Sequence, residues 1–354
     1  MKLPAGIRSR RVEGVNGLSM HCLEAGEAGK PCVLLLHGFP ELAYSWRKVM
    51  PALAAAGYYV VAPDQRGYGG TSGWDGRYDG DLASYRMLNL VEDALALLAR
   101  LKIGKAHVVG HDFGSPVAAY CALTRPDVFR SVVLMSAPFG GTPIGGRAGN
   151  IHEDLAALGR KHYQWYYSTR EADDNMRRCP QGVHAFLRAY YHYKSADWAP
   201  NKPYPLKGWI ASELAKMPTY YIMELDKGMA ETVAPFMPDR AAAWLTDEEL
   251  AVYAEAFERN GFQPGLQWYR AATSPQYSAE LSAATAGKKI GIPAMYIAGA
   301  SDWGVHQKPG EFERMQREVC TDFRGAHLVE GAGHWVQQEQ PEKTAALLLS
   351  FLRY

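Results

Sequence analysis

Residues 108–120 read "VVGHDFGSPVAAY". An apolar pair runs into Gly110-His111-Asp112-Phe113-Gly114, and small and apolar residues follow. This is the pattern of a strand, a sharp turn and a helix, with a reactive side chain raised at the turn. Serine is the residue expected at the centre of that frame; here it is Asp112. An aspartate before a helix is by itself a common N-cap. The glycines two residues to either side favour the other reading, because they allow the close backbone approach that such an elbow needs. The following helix points its positive end at the carboxylate and favours its ionised form. Asp112 is therefore read as a nucleophile.

Working outward, the flanking sequence alternates as an α/β fold does. "CVLLLHG" (32–38), "YYVVAPD" (58–64), "AHVVG" (106–110) and "SVVLMSAP" (131–138) are short apolar runs, each a buried strand. "MLNLVEDALALLARL" (87–101) carries apolar residues at helical spacing, and "SPVAAYCALTRP" (115–126) is a helix stopped at Arg125-Pro126. Continuous apolar strands separated by helices predict a mostly parallel sheet covered on both faces. The rhythm breaks at residues 140–149, which hold five glycines and a proline. From there to about 288 the chain reads as almost wholly helical and dense in aromatics. Strands return in "AMYIAGASD" (294–302) and "AHLVEGAGH" (326–334), and "PEKTAALLLSFLR" (341–353) is a final helix. The expected organisation is a core in two parts, 1–139 and 290–354, with a helical cap at 140–289.

A nucleophile of this kind needs a base and an orienting acid, in the chain order nucleophile, acid, histidine. His334 follows a strand in a glycine-rich turn, and Asp302 follows the penultimate strand. The other acid position, after "VVLMSA", holds no carboxylate. The oxyanion hole is expected from the backbone N–H of Phe113 and from Phe39 in "LLLHGFPEL" (34–42). His37 reads as a residue bracing that loop, and His111 as structural.

Composition sets further bounds. The 354 residues are 47% apolar and 21% charged with a net charge of +1, which gives no electrostatic footprint for nucleic acid. Five scattered cysteines read as free thiols in a reducing compartment, and no zinc site is expected. There is no apolar leader and no apolar run long enough to span a bilayer, so a cytoplasmic protein is expected.

Together "HGFPE" (37–41), "DQRGYGGTS" (64–72), "GHDFG" (110–114), the Asp302 turn and "GAGHW" (331–335) resemble the α/β-hydrolase superfamily. The aspartate at the elbow resembles its epoxide hydrolase branch. That resemblance implies an α/β-hydrolase core with an inserted cap, and two cap tyrosines that hold the epoxide oxygen. They match Tyr163 in "RKHYQWYYS" (160–168), where Tyr166 and Tyr167 stand close by, and Tyr269 in "PGLQWYRAA" (264–272). It implies a small apolar epoxide and water as reactants, a covalent Asp112 ester, no cofactor and no metal. Trp165 and Trp268 of the cap, with His37, are placed beside the substrate; a homodimer is left open. Two rivals remain. Haloalkane and haloacetate dehalogenases use the same aspartate but need halide or carboxylate donors where this chain has Phe39 and Phe113. A non-catalytic small-molecule receptor could also reuse the fold.

Overall fold

The computed structural model describes residues 2–142 and 150–353. Most of the glycine-rich stretch at 140–149 therefore lies outside the described residues. Among the described residues there are ten strands: β1 (Ile7–Val15), β2 (Leu18–Ala25), β3 (Cys32–Leu36), β4 (Tyr59–Pro63), β5 (Ala106–His111), β6 (Phe129–Met135), β7 (Arg160–His162), β8 (Ile222–Glu224), β9 (Ala294–Gly299) and β10 (Phe323–Val329). Eight of them form one sheet in the order β1-β2-β4-β3-β5-β6-β9-β10. From β4 to β10 all pairings are parallel, while β1–β2 and β2–β4 are antiparallel.

Alternation along the strands divides the core in two. Leu34 and Leu36 join Val108, Val132 and Leu134 on one face, under the helices Met87–Arg100 and Gly114–Thr124. Val33 and Leu35 join Val60, Val109, Val133 and Ile297 on the other, against Trp46, Leu53 and the helix Pro341–Leu352. Each such side chain, withdrawn fully from water, stabilises the fold by roughly 1.5–3 kcal/mol before entropy is counted. Both faces are covered, which is why these strands read as unbroken apolar runs.

Between β6 and β9 the chain is largely helical, as expected, with one exception. Arg160–His162 pairs antiparallel with Ile222–Glu224. This small ladder delivers the chain to the helix Tyr163–Tyr167, and the Tyr163 N–H donates to Tyr221 O at 2.9 Å. The inserted segment rests on loops at the C-terminal edge of the sheet. Tyr191 Oη donates to Pro40 O, Trp268 Nε1 to Arg66 O, and Trp335 Nε1 to Tyr191 O. All five cysteines are buried and unpaired. No helix among the described residues is long and apolar enough to cross a membrane.

Candidate active site

The strand order brings the ends of β3, β5, β9 and β10 to one edge of the sheet, where open α/β sheets bind ligands. Asp112 follows β5 directly and adopts φ of 51°, a conformation costly for a residue with a Cβ. The turn is held from both sides: Asp112 N–H donates to Met135 O on β6, and Ser115 N–H donates to Asp112 O. Gly110 and Gly114 serve close approach rather than unusual φ. A Cβ on Gly110 would lie 2.0 Å from Gly114 O, and one on Gly114 would lie 2.4 Å from Leu36 O. The strain sits on the reactive residue, and the glycines make room for it.

Three groups from distant parts of the chain meet the Asp112 carboxylate. Oδ1 accepts from Phe39 N–H at 2.9 Å. Oδ2 lies 3.2 Å from His334 Nε2, and His334 Nδ1 lies 3.1 Å from Asp302 Oδ1. The same Asp302 oxygen accepts from Gly304 N–H at 2.7 Å, which sets its orientation. A Cβ on Gly38 would fall 2.3 Å from Asp112 Oδ1 and 2.7 Å from the Phe113 amide nitrogen, so this peptide has no room for a side chain. Burial raises the Asp112 carboxyl, but the His334 bond and charge, with Lys194 and His111, hold it below the ordinary carboxylate range. Asp302 is likewise held low, as His334 outweighs the effect of burial.

Next to these groups is a cavity of about 610 Å³, lined by Asp112, Phe113, Tyr163, Trp165, Tyr269 and Gln307 among others. That volume suits a small organic molecule. Tyr163 Oη donates to Gln307 Oε1 at 3.2 Å and accepts from Gln164 Nε2 at 3.1 Å. Tyr166 and Tyr167 do not line this cavity; Tyr167 Oη bonds Tyr190 Oη instead. Burial, with the nearby Asp112 charge, pushes both the Tyr163 and Tyr269 hydroxyls well above the usual phenol range.

Two expected substrate contacts need correction. His37 is fully buried behind the loop it braces, with Nδ1 donating to Gly38 O at 2.8 Å and Nε2 accepting from Gln65 N–H at 3.1 Å. Both ring nitrogens are used, and burial lowers its pKa, so it is a neutral strut outside the cavity lining. Trp268 also lies outside that lining. Its indole N–H is bonded to Arg66 O, and its ring packs edge-on to Phe113 at 5.1 Å. Trp165 does line the cavity.

His111, read from the sequence as structural, supports the site together with Glu41 and Lys194, to which the sequence reading gives no role. Glu41 and His111 form a buried pair at 2.6 Å, and His111 Nε2 reaches His334 O at 2.7 Å. Both His111 nitrogens face acceptors, and Glu41 raises its pKa against the effect of burial, so the ring is an imidazolium that ties the two loops together. Lys194 is buried beside the Tyr190, Tyr220, Tyr221 and Trp335 rings, with its ammonium 4.9–5.7 Å from their centres. Burial lowers its pKa, opposed by the charges of Asp112, Asp302 and Glu41.

Residues 31–341 match the family model described as alpha/beta hydrolase fold. Epoxide hydrolase B of Mycobacterium tuberculosis is 35% identical over 336 residues, 91% of each chain. Epoxide hydrolase A of the same organism is 34% identical over 98% of each. Among solved structures, an epoxide hydrolase from an endophytic Streptomyces superposes with a TM-score of 0.81 at 33% identity, covering 99% of this chain and 96% of its own. Epoxide Hydrolase A from Mycobacterium thermoresistibile gives 0.79 at 34% identity over 98% of each. With the elbow aspartate, the histidine and the two cavity tyrosines, these likenesses show that the chain belongs to the α/β-hydrolase fold family and, within it, to the epoxide hydrolases, hydrolases of the ether bond.

Proposed function

We propose that the chain converts an apolar epoxide into a vicinal diol in two half-reactions, with residues 140–289 as the cap that supplies the tyrosines. The observation that carries this reading is the Asp112 carboxylate between Phe39 N–H and His334 Nε2, in one cavity with Tyr163 and Tyr269. In the first half, Asp112 Oδ2 attacks a ring carbon and the carbon–oxygen bond of the epoxide breaks. A phenol hydrogen-bonds the departing oxygen and gives it a proton. Oδ1 then becomes the carbonyl oxygen of the new ester, already on the Phe39 donor. In the second half, Asp302 accepts the His334 Nδ1–H and leaves Nε2 to take a proton from water. The hydroxide attacks the ester carbon, and the oxyanion forms between the N–H groups of Phe39 and Phe113. The ester C–O bond breaks, the departing diol oxygen takes the proton held on His334 Nε2, and the Asp112 carboxyl proton returns to the phenolate left by the first half, so that Asp112 is restored as a carboxylate. Every atom transferred comes from the epoxide, water and these side chains, so neither metal nor organic cofactor is called for.

The raised tyrosine pKa values carry a sign. A phenol donates only while protonated, and burial favours that form. The rate of ester formation should therefore hold level up to about pH 10, the pKa of a free phenol. Rapid-mixing rates across the alkaline range check this, and a fall beginning near pH 8–9 would mean that the phenols are not held above their ordinary range.

The test of the whole reading is mass after trapping. His334→Gln should form the ester but fail to hydrolyse it. Mixed with styrene oxide, it should gain the full mass of the epoxide on the peptide that holds Asp112, because ring opening expels nothing. A gain from a bromoalkane of its mass less hydrogen bromide would indicate a dehalogenase instead. No adduct from either would mean that the substrate is another compound or that the pocket binds without reacting.

A further inference from the structure

Glu339 is a titratable group that neither half-reaction uses. It ends the short helix Val336–Glu339 and turns back toward the loop that carries His334. Its Oε1 accepts from Trp335 N–H at 3.0 Å. Its Oε2 accepts from Gly333 N–H at 2.9 Å and from Ala196 N–H at 2.8 Å. Gly333 and Trp335 are the two chain neighbours of His334. Ala196 lies in the inserted segment, just past the helix Gly182–Lys194. One carboxylate thus grips the peptide on both sides of the histidine and joins it to the cap.

The seam is tight elsewhere as well. His334 N–H donates to Lys194 O at 2.9 Å. A Cβ on Gly333 would lie 2.6 Å from both Lys194 O and Ala196 N, so the two segments touch backbone to backbone. Burial pushes the Glu339 carboxyl up to about 7 despite its three N–H partners, and the charge of Asp197 adds to the rise. A carboxylate kept there against such a cost serves a purpose that an apolar side chain of similar size would not. Ring opening depends on Asp112 and the cavity tyrosines, none of which Glu339 touches. Ester hydrolysis depends on the placement of His334 Nε2, and misplacement by about 1 Å can cost roughly 100-fold.

We propose that Glu339 is the positioning residue of the general base, acting through the peptide of His334 and its tie to the cap, and that it governs ester hydrolysis rather than ester formation. The proposal rests on His334 as the base. Its test is a pair of rate constants for styrene oxide, ester formation and ester decay, read on the full chain by rapid quench and intact mass. Glu339→Gln keeps the size, but its amide group turns a donor toward one of the N–H partners. Ester decay should slow by about 10-fold or more while formation changes by less than about 3-fold, so the ester accumulates and kcat and KM fall together. Unchanged decay, or formation and decay slowed by the same factor, overturns the proposal. Should Glu339→Gln not fold, Glu339→Asp gives the same reading. Its charge remains but its reach is shorter, so selective slowing of decay supports the proposal and equal slowing or none overturns it. His334→Gln that forms the ester and hydrolyses it at the native rate overturns the base role itself, a separate result from that of either Glu339 variant.

Discussion

Asp112→Ala should lose epoxide turnover by roughly 10⁵-fold or more, the scale on which hydrolases suffer when a covalent nucleophile is removed. Neither Asp302 nor Glu41 can stand in. Asp302 sits on the far ring nitrogen of His334, with its Oδ1 also bound to Gly304 N–H. Glu41 is committed to His111, Gln337 and Gln338. Direct attack by water on the epoxide would lack both the ionised oxygen and its placement against the ring carbon. The variant should fold, because alanine removes no packed ring, and near-UV circular dichroism checks that. Initial rates with styrene oxide give the answer. Turnover within about 100-fold of native would mean that Asp112 is not the covalent nucleophile.

Much of this site is legible in the sequence because the chemistry sits where short local patterns meet. The elbow is written in a few consecutive residues: an apolar strand, two glycines around Asp112, and a helix. The sheet is legible at β3, β4, β5, β6 and β9 because each of these buried strands is a nearly continuous apolar run. The β1–β2 hairpin is not, since most of β1 is exposed and its pattern neither alternates cleanly nor runs unbroken. The β7–β8 pair is invisible for another reason. Three residues on each side have no periodicity of their own, and their pairing depends on the fold around them. The same logic separates the triad from its supports. Glu41, Lys194, Gln307 and Glu339 each depend on at least one partner 70 or more residues away: His111 for Glu41, Trp335 for Lys194, Tyr163 for Gln307 and Ala196 for Glu339. Nothing local marks them as different from ordinary surface side chains. His37 and Trp268 erred in the opposite direction. Their residue types suit a pocket, but their polar atoms are spent on backbone groups behind it.

The double variant Tyr163→Phe with Tyr269→Phe should leave the fold intact and remove ester formation. Both rings are packed, and phenylalanine keeps that packing. Tyr163 meets Tyr221 and Tyr167 edge-on at 5.1 and 5.5 Å, and Tyr269 meets Phe113 and Phe39 at 5.0 and 5.7 Å. The stability lost should be about 1 kcal/mol, from leaving Gln307 and Gln164 without the Tyr163 hydroxyl. The catalytic loss should be far larger. Without a donor the epoxide oxygen must leave as a free alkoxide, in a site lined by Phe113 and close to the negative charge of Asp112. Removing one such donor typically costs 10²–10³ in rate, about 2.7–4 kcal/mol of barrier. Each single variant should therefore retain measurable activity, because the remaining phenol can still give the proton. The double variant should fall by at least about 10⁴. If either tyrosine acted only by shaping the cavity, phenylalanine would preserve the rate, and the singles and the double would lie close together. Rapid-mixing measurement of ester formation in all three variants separates the two cases, since a shared proton-donor role makes the double far worse than either single while KM changes little.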